Sequence, residues 1–113
     1  MFIEHRTYTL KPGSTAHYMA AYEKADGLRL HEAMAPCVGW YATEAGDLFR
    51  LVTMWKFDSL EERQRGREKL YEQEAWRTLM DEVQPLVTDI RSQLIVPAGF
   101  WSRSPRGKAL LDK

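Results

Sequence analysis

The 113-residue sequence predicts an α+β fold with element order β-α-β-β-α-β. Three observations carry this reading. The chain opens on a β-branched, aromatic-rich run that stops at the turn signal Lys11-Pro12-Gly13. Two more strand-like runs flank Glu44-Ala45-Gly46-Asp47, a hairpin signal. Stretches with apolar residues at helical spacing lie on either side of that hairpin, and each ends at a proline.

The elements follow in order. Residues 2–10 form the first strand. The first helix begins near Ser14, with Tyr18, Ala21, Tyr22 and Ala25 on one face. Asp26-Gly27 interrupts it, residues 28–34 add a short second helical stretch, and Pro36 ends it. Residues 37–44 and 48–57 make the hairpin. Asp58 suits an N-cap, and Glu61 three positions later completes a capping box. Residues 59–84 read as helical with a bend near Gln73, and Pro85 stops them. The last strand covers 88–96 and ends at Pro97. Residues 1–97 thus make one domain. Residues 98–113 are a tail with four bases, one acid and the pair Phe100-Trp101, but no helical or strand period. The order is the split βαβ, ferredoxin-like pattern (βαββαβ): a four-stranded antiparallel sheet with its helices on one face.

Composition narrows the function classes. Sixteen Lys+Arg balance sixteen Asp+Glu, which argues against a nucleic-acid or anionic-membrane binder. No apolar run reaches the roughly 18 residues of a spanning helix. The N-terminus lacks a signal-peptide pattern, so the expected compartment is the cytoplasm. A single cysteine, Cys37, excludes an internal disulfide and a cysteine-built metal site. His5, His17 and His31 have no metal-ligand spacing, and no cofactor motif occurs, so neither metal nor cofactor is expected. Cys37 and the histidines read as structural residues.

The hairpin does not alternate cleanly between apolar and polar. Leu48, Val52 and Met54 share one face; Phe49, Leu51, Trp55 and Phe57 share the other, with Arg50 and Thr53 as the polar members. Trp40 and Tyr41 put aromatics on opposite faces. A sheet apolar on both sides needs cover on both sides, and a second copy in a two-fold dimer supplies it. The Phe100-Trp101 tail either packs on that partner or folds back on its own subunit.

The most informative local feature lies in the second helix. Its inward stripe begins at Leu60 and continues at Leu70 or Tyr71, yet holds Arg63 and Arg67, one turn apart, in its middle. Unpaired buried charge is costly. The two arginines therefore either meet acids, with Glu4 and Glu44 as candidates, or line a pocket for an anionic or carbonyl ligand. Glu4, Arg6 and Tyr8 share one face of the first strand.

These residues also carry a resemblance. Residues 4–13, Val38-Gly39-Trp40, Thr43-Glu44-Ala45-Gly46, Trp55-Lys56-Phe57-Asp58-Ser59, residues 63–67 and Trp76 resemble the NIPSNAP domain in order and spacing. The resemblance covers about residues 2–100 and implies a ferredoxin-like subunit forming a dimeric α+β barrel. It implies no defined activity. The wider group of such barrels includes cofactor-free monooxygenases and haem-degrading enzymes. Two positions depart from the family pattern: Phe49 stands where Asn is usual, and Thr53 where many members have His.

The expected function is binding of a small aromatic, carbonyl or carboxylate ligand in a pocket between the sheet and the second helix. Arg63 and Arg67 are the expected anchors; Glu4, Arg6 and Tyr8 the orienting groups; and Trp40, Trp55 and Trp76 the apolar walls. Whether chemistry occurs is open. If it does, oxygenation or proton transfer with Tyr8 or Glu4 as acid or base is the leading reading. A non-catalytic homodimeric scaffold is the alternative.

Overall fold

A computed structural model describes residues 1–112; Lys113, the last residue of the tail, lies outside them. The sheet has four antiparallel strands in the order β2-β3-β1-β4. They are β1 (Phe2–Leu10), β2 (Cys37–Ala42), β3 (Arg50–Phe57) and β4 (Val87–Ile95). The helices are α1 (Thr15–Lys24), α2 (Gly27–His31), α3 (Leu60–Glu72), α4 (Glu74–Val83), α5 (Gly99–Arg103) and α6 (Pro105–Leu111). One 3₁₀ turn, Gln84–Leu86, links α4 to β4. The architecture is the ferredoxin-like α+β sandwich that the element order implies.

The register sorts the residues by face. Glu4 pairs with Trp55, Arg6 with Thr53 and Tyr8 with Leu51. On the other side of β1, Arg6 pairs with Ser92 and Tyr8 with Ile90. Directly paired residues point the same way. These side chains therefore share one face, and α1 to α4 cover it. Leu10, Leu51, Trp55 and Phe57 pack there with Tyr18, Tyr22, Leu30, Leu70, Trp76, Leu79 and Val83 in a single core.

Several local expectations shift. The second helical run breaks at Gln73, whose ψ of 116° is extended, and its side-chain amide donates to the Leu30 carbonyl oxygen at 2.9 Å. The N-cap is Ser59, not Asp58: its hydroxyl accepts from Glu62 N at 3.1 Å. The capping frame thus sits one residue later, with Ser59 and Glu62 at the same spacing. Leu60 is 64% exposed, so the inward stripe of α3 begins at Arg63. Gly66 and Leu70 are the buried residues of α3. A side chain on Gly66 would strike the backbone oxygen of Met34, so glycine sets how closely α3 approaches the segment after α2. The tail is helical rather than irregular, since Ser104 caps α6 by accepting from Gly107 N at 2.9 Å and Pro105 starts it.

The far face of the sheet is less apolar than the sequence suggests. β3 alternates strictly: Leu51, Thr53, Trp55 and Phe57 are buried, while Arg50, Val52, Met54 and Lys56 are half-buried. Val52, Met54 and the exposed Tyr41 share the far face with His5, Thr7 and Thr9 of β1. Lys56 Nζ, also on that face, donates to the Leu111 carbonyl oxygen of α6 at 2.5 Å. Phe49 precedes β3 with φ at 59°, a left-handed backbone where Asn is favoured, and it packs against the core. Among the described residues no helix is long and apolar enough to cross a membrane.

Candidate functional site

Alternation along β1 aims Glu4, Arg6 and Tyr8 at the helices. Glu4 is fully buried. Its carboxylate accepts from Arg63 Nε at 2.7 Å and Arg63 Nη2 at 3.2 Å. It also accepts from Arg6 Nη1 at 2.9 Å and Ser92 Oγ at 2.7 Å. Burial alone would raise the Glu4 pKa, but the hydrogen bonds from Arg63, Ser92 and Arg6 outweigh it and hold the group down to about 2. Arg6 Nε donates to the Tyr8 hydroxyl at 2.9 Å, which completes a Glu4-Arg6-Tyr8 chain along the strand. Ser92 was not among the expected site residues. Its place opposite Arg6 depends on the β4 register, which a single sequence does not disclose.

The two arginines of α3 take different roles. Arg63 closes on Glu4. Arg67, one turn on and half-buried, makes no ion pair or hydrogen bond among the described residues. Glu44, the other acid considered for them, lies exposed beyond β2 and pairs with neither. Arg67 instead lines a cavity of about 250 Å³ between the sheet and α3–α4. Arg6, Tyr8, His31, Tyr71, Trp76 and Met80 share that lining.

His31 is the residue that sequence reasoning left as structural. The reversal at Asp26, whose φ is 55°, folds α2 back so that His31 sits inside the core. Its ring centroid lies 3.8 Å from that of Trp55 and 4.5 Å from that of Trp76. Its Nδ1 is 3.0 Å from the Tyr22 hydroxyl. Burial drives its pKa down to about 3, and the charges of Arg6 and Arg67 push the same way against Glu4. The imidazole is therefore neutral at physiological pH.

The tryptophans divide. Trp76 lines the cavity. Trp55 is fully buried beneath His31 and donates Nε1 to Thr53 Oγ1 at 2.9 Å, which gives Thr53 a structural task. Trp40 packs on α1, 5.1 Å from the Tyr22 ring and 6.5 Å from that of Tyr18, and does not line the cavity. Among the described residues no group of three His, Cys, Asp or Glu is placed to hold a metal ion. Cys37 is half-buried, its thiol pushed up in pKa by burial.

Comparison with known proteins places this arrangement. The NIPSNAP family model matches residues 3–102. NipSnap homolog 2 of Danio rerio is 28% identical over 94 residues, which is 83% of this chain and 32% of that protein. Human NipSnap homolog 3B is 28% identical over 97 residues, 86% of this chain and 39% of that protein. The chain thus spans about a third of the length of these relatives. Among solved structures, a NIPSNAP family protein from Agrobacterium tumefaciens with unknown function aligns with a TM-score of 0.84 at 29% identity, over 93% of this chain and 92% of that one. An antibiotic biosynthesis monooxygenase aligns with a TM-score of 0.60 at 10% identity over 87% of this chain and 99% of that one, a likeness of fold alone. The match over nearly the whole chain, residues 3–102, shows that the protein belongs to the NIPSNAP family.

Proposed function

We propose that the chain binds a small aromatic carboxylate or carbonyl compound in the cavity between the sheet and α3–α4, with Arg67 as its polar anchor. One observation carries this reading. Arg6 and Arg67 line the cavity, and Glu4, which does not line it, is already shared by Arg6 and Arg63. Arg67 is left half-buried without a counter-charge, and a ligand anion supplies one. Leu70, Tyr71, Trp76 and Met80 supply the apolar and aromatic part of the lining. A dry cavity of about 150 Å³ is enough for benzene, so this larger one accommodates a substituted ring.

Glu4 is a poor candidate for the proton carrier. Its oxygens are engaged by three partners and its carboxyl is held ionised. Binding rather than a specific reaction is therefore the reading the site favours. The assembly that goes with it is a homodimer through the far face, where Val52, Met54 and Tyr41 leave apolar surface uncovered.

A thermal-shift screen with carboxylates, quinones and haem tests the reading. Aromatic carboxylates raise the melting temperature of the wild type, since a ligand that binds only the folded state stabilises it. They have no effect on Arg67→Ala. A hit that survives Arg67→Ala removes Arg67 as the anchor.

A further inference from the structure

His31 has a second ring nitrogen that the fold does not use. Nδ1 is taken by the Tyr22 hydroxyl at 3.0 Å. Nε2 has no hydrogen-bond partner among the described residues. It is also not one of the sealed, unpartnered nitrogens, which are Trp40 Nε1 and Trp76 Nε1. The ring lines the cavity, and with Nδ1 engaged by Tyr22, Nε2 is its remaining polar atom. Trp55 and Trp76 both pack against the ring. A phenol is a better donor than acceptor, and an unprotonated imidazole nitrogen is a strong acceptor. With Tyr22 donating to Nδ1, the neutral ring carries its proton on Nε2.

We infer that His31 Nε2–H is a second, uncharged recognition point in the cavity, so that the favoured ligand carries a carboxylate for Arg67 and a separate hydrogen-bond acceptor, such as a ketone oxygen, for His31. This rests on the Arg67 reading and adds a specificity element to it. A ligand with carboxylate alone displaces water from the Nε2–H without replacing its hydrogen bond, which is unfavourable. A ligand with a donor in place of the acceptor meets another donor. Tyr22 acts as a positioning residue, since it selects the tautomer without lining the Arg67 cavity.

Two measurements test the inference. The first needs no ligand: ¹⁵N-edited NMR of the histidine rings in the wild type. The His31 ring is expected as the neutral Nε2–H tautomer at pH 7, with a smaller excess of that tautomer in Tyr22→Phe. A ring protonated at Nδ1 in the wild type overturns the proposal. The second is calorimetric titration with matched probes, 3- and 4-acetylbenzoate against 3- and 4-isopropylbenzoate, which share shape but differ in the acceptor oxygen. The better acetyl isomer is expected to bind the wild type about tenfold more tightly than its isopropyl counterpart. That preference disappears in His31→Phe and is partly kept in His31→Gln, whose amide nitrogen replaces Nε2. If His31→Phe does not fold, Tyr22→Phe serves in its place and reduces the preference several-fold. Equal binding of both probes, lost in Arg67→Ala, overturns the His31 role and leaves the Arg67 site standing. No binding of either probe to the wild type overturns both.

Discussion

Arg63 donates to Glu4 Oε1 at 2.7 Å across 59 residues of chain, and this bond ties α3 to the central strand of the sheet. The same carboxylate holds Arg6 and Ser92, so one buried acid organises three elements: α3, β1 and β4.

Removing that acid leaves two guanidiniums without a counter-charge in a poorly hydrated site. Glu4→Ala is expected to cost about 3–5 kcal/mol, the range for breaking a buried pair from one side. Arg63→Ala costs less, because Arg6 and Ser92 still satisfy Glu4. Urea denaturation of the two variants checks the order. Equal losses would show that Arg6 and Ser92 do not hold Glu4 independently.

Gly66→Ala is expected to destabilise the protein although alanine is the better helix former by about 1 kcal/mol. The new methyl group meets the Met34 carbonyl oxygen, so α3 must move away from the chain after α2. Overpacking of this kind costs about 1–3 kcal/mol. A chemical-denaturation midpoint at or above that of the wild type would contradict the close approach.

Stability falls on acidification through two overlapping losses. The folded state holds His31 at about 3, below its ordinary value of 6.5, with Arg6, Arg67 and Glu4 as the charged groups bearing on it. The unfolded chain therefore binds the extra proton between those values. The His31 contribution is fully present above pH 6.5 and is lost as pH falls toward 3. Glu4 adds a second loss as pH drops from its ordinary value of 4.5 toward 2. Denaturation midpoints measured from pH 7 to 3 check this, and His31→Phe is expected to flatten the decline above pH 4.5.

Much of the fold was legible because its signals are local. The break at Gln73, the interruption at Asp26-Gly27 and the stops at Pro36 and Pro85 are written in single residues. The Glu4-Arg63 pair was foreseeable as well, since strand alternation and helical spacing aim both groups at one interface. Other features depend on long-range placement. His31 joins the site through the chain reversal at Asp26, and Ser92 through the register of β4 against β1. Trp40 and Trp55 could not be separated from Trp76 by spacing, because only packing decides which indole faces the cavity. The helical tail escaped notice because its helices are only five and seven residues long, too short for an apolar period.

The proposed homodimer has its own consequence. Val52 and Met54 stand at the middle of the far face, so an acid at either position opposes sheet-to-sheet association. Sedimentation velocity at micromolar concentration is expected to give a dimer for the wild type and a monomer for Val52→Asp. A monomeric wild type would remove the case for the far face as an interface.

The most direct test of the central claim is calorimetric titration of the wild type and Arg67→Ala with benzoate. Saturable one-site binding to the wild type, absent in an Arg67→Ala variant of unchanged melting temperature, is the predicted result. Benzoate binding of equal affinity in both proteins would contradict the assignment of Arg67 as the anchor of the cavity.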